Sequence, residues 1–156
     1  MRRFVLTLVV LLSLMLSSAQ LVFAGGNGAI TSTQNDHGLT QTFHVDPICG
    51  SPSGTLTATV NDVFHTTTNN AGDFWLTSTQ EGWFTIVPDD PTLPNYAGHF
   101  ATWFGVSINM NNAVQHDITN IRATATDGSG VTLTFHSVDH LSMSATGHIT
   151  SFMSCH

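Results

Sequence analysis

Apolar and polar residues alternate along most of the chain. Between residues 54 and 67, Leu56, Val60 and Phe64 fall on one side and polar Thr57 falls on the other. A repeat of two residues is the period of a β-strand that has one buried face. Further stretches carry the same pattern, and the sequence predicts about seven to eight strands, at residues 39–46, 54–67, 74–87, 96–109, 114–126, from 131 onward and 148–155.

Turn signals separate these stretches. Asp127-Gly128-Ser129-Gly130 is the strongest hairpin signal, because aspartate and glycine readily adopt the backbone angles of tight turns. Within residues 114–126 the apolar positions change phase at Asn120, which predicts a β-bulge. No stretch shows the apolar spacing of an α-helix, so little helix is expected. The predicted fold is all-β, an antiparallel meander that closes into a barrel, with a β-sandwich as the alternative.

The first residues have the layout of a secretory signal peptide. Two arginines precede an apolar run, and small residues lead to a cleavage site after Ala24. The alternative is an uncleaved anchor helix, because the apolar run is about long enough to span a bilayer. We therefore predict a signal peptide at residues 1–24, a flexible lead-in at 25–38 and a single β domain at 39–156. The product is expected to be secreted and to leave the membrane after cleavage.

The chain has two cysteines, Cys49 and Cys155. In an exported protein the expected state of such a pair is a disulfide bond, here joining the beginning of the domain to its end. Such a tether favours closure of the sheet into a barrel. Two free thiols or an intermolecular bond are the alternatives.

The charge of the chain argues against several kinds of partner. Without the two arginines of the signal peptide, Arg122 is the only lysine or arginine against ten acidic residues, a formal charge of −9. Nucleic acid and anionic lipid both require clusters of basic side chains and are not expected partners. Protonation of the nine histidines in mild acid would bring the net charge close to zero. One hypothesis is therefore an oligomer, or an envelope or matrix protein, that associates in mild acid.

The alternation divides the aromatic residues between two faces of the predicted sheet. The expected core face is rich in phenylalanine and aliphatic residues: Leu56, Val60, Phe64, Phe74, Leu76, Phe84, Ile86, Phe100, Phe104, Ile108, Leu133 and Phe135. The other face carries all three tryptophans and several histidines: His65, Trp75, Trp83, His99, Trp103, His136 and His140. Exposed tryptophan with polar neighbours suits sugars and flat, partly apolar ligands. This face could instead pack on a loop or another subunit, or line the interior of a barrel whose phenylalanine face is covered by oligomerisation.

Histidines are the main candidates for chemistry. His136 and His140 are four residues apart, which on a strand separates their backbones by about 13 Å. Joint ligation of a metal is therefore not expected, and we predict neither a metal nor another cofactor. Histidines on neighbouring strands can meet, so His99 and His136 are the candidate acid and base, with Asp62 or Asp139 as an orienting carboxylate. The sequence contains no nucleophile motif and no phosphate-binding glycine loop.

Several motifs between residues 95 and 155 resemble small exported bacterial proteins whose function is not established: Tyr96-x-Gly98-His99-Phe100-x-x-Trp103-x-Gly105, Asp127-Gly128-Ser129, Phe135-His136-x-x-x-His140, Gly147, Phe152 and Cys155. In architecture the chain is also similar to barrels of the dirigent and allene oxide cyclase type. That resemblance implies a small hydrophobic ligand pocket. No catalytic motif of those families matches this sequence residue by residue.

The sequence therefore predicts a secreted β-barrel that binds a small aromatic or carbohydrate-like molecule. The expected contacts come from the three tryptophans and two histidines: Trp75, Trp83, Trp103, His65 and His140. One alternative is a cyclase or isomerase that uses His99 and His136 as acid and base. Another is the structural protein that associates in mild acid.

Overall fold

The computed structural model describes residues 28–156. The predicted signal peptide, residues 1–24, lies outside this range. The described chain contains seven strands and no helix. In chain order the strands are β1 (Ile30–Val45), β2 (Gly54–Thr68), β3 (Phe74–Pro88), β4 (Tyr96–Ile108), β5 (Asn112–Ala125), β6 (Thr132–Ser144) and β7 (Ile149–Cys155).

The seven strands form one antiparallel sheet in which each strand is hydrogen-bonded to the next along the chain. This confirms the predicted all-β meander. Turns and loops of up to eight residues join the strands. In the turn after β5, for example, the backbone N–H of Ser129 donates to the carboxylate of Asp127. Between residues 28 and 156 no helix is long and apolar enough to cross a membrane.

The sheet curves so that side chains of β1 and β5 on one of its faces line the same cavity. We call this concave face the inner face and the opposite one the outer face. The inner face carries the buried apolar residues, which confirms that the phenylalanine-rich face is the core. They form two clusters: the first is Ala58, Val60, Phe84, Ile86, Tyr96, Ala123 and Ala125, and the second is Phe64, Leu76 and Phe104.

The first strand begins earlier than the sequence pattern predicts. The expected flexible lead-in at residues 25–38 is wrong from Ile30 onward, because β1 pairs with β2 from that residue. This part of β1 has few large apolar residues, so its strand character leaves no clear period in the sequence. The pairing register shifts between Asp36 and Leu39, where Gly38 has a φ of 65°. The irregularity of the sheet therefore lies in β1.

The predicted bulge at Asn120 is wrong, because β5 pairs with β4 and β6 without a register shift. The apolar residues change phase because the inner positions of β5 are polar in the first half of the strand and apolar in the second half. Asp117 and Thr119 occupy inner positions in the first half of the strand, and Ile121 and Ala123 occupy them in the second half. Polar residues at inner positions therefore produce the same change of apolar phase in the sequence as a bulge does.

The predicted closed barrel is not observed. Within the described residues no ladder joins β1 to β7, so both strands are edges of the sheet. The predicted disulfide bond does join Cys49 and Cys155, whose Cα atoms are 5.4 Å apart. Because Cys49 lies in the loop after β1, the bond attaches the end of β7 to that loop without placing the two edge strands in register.

Glycine allows the strands to approach closely on the inner face. A Cβ atom on Gly98 of β4 would meet the backbone of Arg122 and Ala123 in β5, at 2.5 Å from the Cα atom of Ala123. A Cβ atom on Gly82 of β3 would meet the backbone of Thr59 in β2. The curvature of the sheet therefore leaves no room for a side chain at these positions.

Candidate ligand-binding site

The inner face encloses a cavity of about 350 Å³, which strands β1 to β5 line. This volume lies within the range of about 300–1,000 Å³ that is usual for small-molecule sites. Most of the lining is apolar. Five aromatic rings from four strands contribute to it: Phe43, Phe64, Phe84, Phe100 and Phe104.

A row of polar side chains crosses the inner face. On β2, for example, Asp62 lies between Val60 of the first apolar cluster and Phe64 of the second. The members of the row are direct partners across neighbouring strands, so the row follows the pairing register. From β1 to β6 this polar row consists of Asp36, Asp62, Gln80, Thr102, Thr119 and Ser137.

Asp62 is a buried carboxylate of this row, with 5% of its surface exposed. The hydroxyl of Ser78 donates to its Oδ1 atom at 2.9 Å, and the side-chain amide of Gln80 donates to its Oδ2 atom at 2.6 Å. Burial raises the pKa of Asp62; the two hydrogen bonds lower it, and the nearby carboxylate of Asp36 raises it further. The net pKa lies above the ordinary value of 3.8, so desolvation outweighs the hydrogen bonds.

Asp117 is a second carboxylate in the cavity lining, and it lies directly opposite Asp139 of β6 in the ladder. The hydroxyl of Thr119 donates to the Oδ1 atom of Asp117 at 3.0 Å, and the hydroxyls of Thr119 and Thr102 are 3.0 Å apart. Burial raises the pKa of Asp117, the bond from Thr119 lowers it, and the charge of Asp139 raises it again. The cavity therefore contains two carboxyl groups with raised pKa values.

The carboxylates of the cavity have no cationic partner there. Asp36, Asp62 and Asp117 contribute to the lining, which contains no lysine, arginine or histidine. In the part of the chain that the structure describes, the one contact between a basic and an acidic side chain joins His44 to Asp89, and neither of these residues lines the cavity. The cavity therefore combines aromatic walls with negative charge that only neutral donors stabilise.

The raised pKa of Asp62 predicts a pH dependence of stability. A carboxyl group with a higher pKa in the folded chain contributes stability that is fully present below its unfolded pKa, and this contribution is lost as the pH rises through the folded value. Asparagine cannot ionise. We therefore expect Asp62→Asn to become more stable relative to the wild type as the pH rises from about 4 to 7, measured by urea unfolding at a series of pH values.

The control for this measurement is Asp90→Asn, for which the opposite sign is expected. Hydrogen bonds from the Thr92 side chain and backbone hold the pKa of Asp90 below its ordinary value. Its contribution is present above the unfolded pKa and is lost as the pH falls through the folded one. Asp90→Asn should therefore lose stability relative to the wild type as the pH rises. Equal slopes for both variants would contradict the assignment of a desolvated carboxyl group to Asp62.

The three tryptophans all lie on the outer face but do not form one platform. Trp75 and Trp83 are eight residues apart on β3, which separates them by about 26 Å. Trp103 of β4 pairs with Thr79, halfway between them. The ring of Trp103 lies over Gly105 of its own strand, where an added Cβ atom would be 2.6 Å from the indole. Trp103 therefore covers backbone, and the three indoles cannot contact one small ligand together.

The candidate acid and base lie near each other without touching. His99 of β4 and His136 of β6 both line a shallow depression of about 330 Å³ on the outer face, together with Arg122. One strand separates them, so their backbones are at least about 10 Å apart. His136 Nδ1 is 2.8 Å from the side-chain oxygen of Asn120, and the ring of His99 contacts Trp83 edge to face.

The remaining predicted site residues lie in separate places. His65 is bonded to Thr33 of β1 through its Nδ1 atom, at 2.9 Å, and it does not join the other candidate histidines. His140 is paired with His116 of β5. The orienting role predicted for Asp62 or Asp139 is wrong, because the register places both on the inner face, opposite the histidines.

The alternation of apolar and polar residues predicts that the inner face is the core, but it does not indicate a cavity there. A signal for the cavity is nevertheless present in the chain. Asp62 stands in the same phase as Leu56, Val60 and Phe64, where an apolar residue is expected. A carboxylate at a core position is costly unless it is bonded or functional, so such a residue marks a site in the interior.

The resemblance to exported bacterial proteins and to dirigent-type barrels stays a prediction. The two edge strands of this sheet differ from the closed barrel that the architectural likeness implies. The candidate site is therefore defined by the geometry and charge of the inner face. No family model, curated protein or solved structure matches the chain.

Proposed function

We propose that this protein is a secreted binding protein for a small aromatic ligand that carries a positive charge, held in the cavity of the inner face. The observation that supports the proposal is a cavity lined by five phenylalanines and three carboxylates, without a basic side chain. The disulfide bond between Cys49 and Cys155 is consistent with export.

The charge of the cavity favours a cation. A carboxylate in apolar surroundings is stabilised by a partner of opposite charge, and an ammonium group supplies both charge and hydrogen-bond donors. Asp62 already accepts bonds from Ser78 and Gln80, but two carboxylate oxygens offer about four acceptor positions. The faces of nearby phenylalanine rings also attract a cation.

The walls of the cavity favour an aromatic ligand over a carbohydrate. A sugar carries hydroxyl groups on all sides, and each one that faces an apolar wall loses its hydrogen bonds to water. An aromatic ring instead packs edge to face or offset against phenylalanine. The proposal therefore keeps the aromatic ligand that the sequence predicts and moves its site from the outer-face tryptophans to the inner face.

Three ligands that share one skeleton test the proposal: 4-phenylbutylamine, 4-phenylbutan-1-ol and 4-phenylbutanoate, which at pH 7 are a cation, a neutral molecule and an anion. A charge-assisted hydrogen bond contributes about 1.5–3 kcal/mol, so the amine should bind at least about tenfold more tightly than the alcohol. The anion should bind most weakly. Dissociation constants are measured by NMR titration, with shifts of phenylalanine resonances as the mark of the cavity.

Two variants complete the experiment. Asp62→Asn should reduce the preference for the amine over the alcohol by about tenfold while the alcohol itself still binds. Asp90→Asn, an exposed position in the loop after β3, should leave the preference unchanged. Absence of binding by all three molecules would refute a ligand cavity, and tighter binding of the anion would refute the proposed charge.

A further inference from the structure

His116 and His140 form a close pair on the outer face. The two residues are direct partners in the ladder between β5 and β6. Their Nδ1 atoms are 3.1 Å apart, and the centroids of their rings are 4.4 Å apart. His116 is exposed and His140 is half-buried, so solvent reaches the pair. At this distance an N–H group on one Nδ1 atom can donate a hydrogen bond to the other Nδ1 atom.

The same separation suits a shared metal ion. Bonds of about 2.0–2.1 Å from each nitrogen to one metal, across the 3.1 Å between the Nδ1 atoms, enclose an angle of about 98°. That angle lies between the right angle of a square-planar complex and the tetrahedral angle. The separation of the two Nδ1 atoms therefore allows both to bind one metal ion when each ring directs its in-plane lone pair toward that ion.

A neighbouring aromatic ring restrains His140 of the pair. The ring of His140 stacks on Phe152 of β7, with 5.5 Å between centroids and 26° between planes. His116 is the ladder partner of Gly105, which the indole of Trp103 covers. The contact with Phe152 reduces the rotamer freedom of His140 that metal binding would otherwise have to remove.

The donor set identifies the class of metal. Imidazole nitrogen suits copper, nickel and zinc, whereas calcium and magnesium prefer oxygen. Among residues 28–156 no group of three or more histidine, cysteine or acidic side chains could hold a metal, so water would have to complete the coordination shell of an ion bound by two histidines. Such a site is open and exchangeable. Copper(II) binds most tightly in the general order of divalent metals.

We propose that the cross-strand pair His116 and His140 is a surface binding site for one divalent transition-metal ion, with copper(II) as the preferred ion. The site is separate from the cavity, because the two histidines lie on the outer face and neither lines the inner one. It also differs from the depression that His99 and His136 share.

Titration of the full chain with copper(II) tests the proposal by calorimetry and by tryptophan fluorescence. The wild type should bind one equivalent of copper at the pair. Each of the variants His116→Ala and His140→Ala should lose this equivalent or bind it at least about tenfold more weakly, a difference of about 1.4 kcal/mol. Copper at the pair should quench Trp103, and a chelator should restore its emission. Calcium should produce neither heat nor quenching.

His148→Ala is the matched control, because His148 is also exposed but lies in the turn between β6 and β7. It should bind copper as the wild type does. Equal losses in all three variants, or unchanged binding in His116→Ala and His140→Ala, would overturn the proposal. His116→Asn provides a second test at the same position with a polar side chain, and far-UV circular dichroism checks that each variant keeps its sheet.

Discussion

Replacement of Cys49 and Cys155 by serine is expected to lower the free energy of unfolding by about 4.7 kcal/mol. The disulfide bond joins residues separated by 106 positions. A cross-link over so long a loop removes many conformations from the unfolded chain, and the loss of that constraint favours unfolding. The native sheet has no ladder between β1 and β7, so among the described residues no strand pairing would join the two edges of the sheet in the absence of the disulfide bond.

Equilibrium unfolding in guanidinium chloride measures this effect. A reducing agent should shift the transition of the wild type toward that of the double serine variant and should leave the variant itself unchanged. The native far-UV circular dichroism of the variant shows whether the sheet still forms. A difference below about 1 kcal/mol would mean that the unfolded chain retains structure near the two ends, since the entropic model assumes none.

The substitution Gly98→Ala is expected to destabilise the protein by about 3 kcal/mol, at the upper end of the cost of overpacking. The added Cβ atom would approach the Cα and Cβ atoms of Ala123 to 2.5 and 2.6 Å. These atoms belong to the neighbouring strand, so only a shift of the ladder between β4 and β5 can relieve the contact. Because this ladder supports the inner face, ligand binding in the cavity should weaken as well.

Gly105→Ala, on the same strand, is the matched control. There the added Cβ atom meets the Trp103 indole, at 2.6 Å from its Cη2 atom. An indole can turn to a neighbouring rotamer, so we expect a cost below about 1 kcal/mol and a change in tryptophan fluorescence. Equal stability of the two variants would contradict the role assigned to the backbone contact at Gly98.

The polar row explains why the proposed site was difficult to find in the sequence. Asp36, Asp62 and Thr119 come from three strands and are far apart in the chain, yet all belong to one row of the sheet. A row of this kind depends on the pairing register of every strand between its ends. On β5 it also breaks the apolar phase, which led to the wrong prediction of a bulge at Asn120.

The sequence by itself determined the strands, their order and the division of residues between two faces. Alternation with a period of two is a local property, and turn residues such as Asp127 and Gly128 mark where it stops. The composition also determined the disulfide bond, because Cys49 and Cys155 are the only two cysteines of the chain. The sequence did not predict the first half of β1, since that half contains few large apolar residues.

The tertiary structure alone decided which face is concave, how far the sheet closes and which polar residues meet. These features depend on twist and register accumulated over seven strands, and no single stretch of sequence contains them. The disulfide bond holds the loop after β1, not the strand itself, and the sheet keeps two open edges. The contact between His116 and His140, 24 residues apart, likewise exists only because one ladder places them opposite each other.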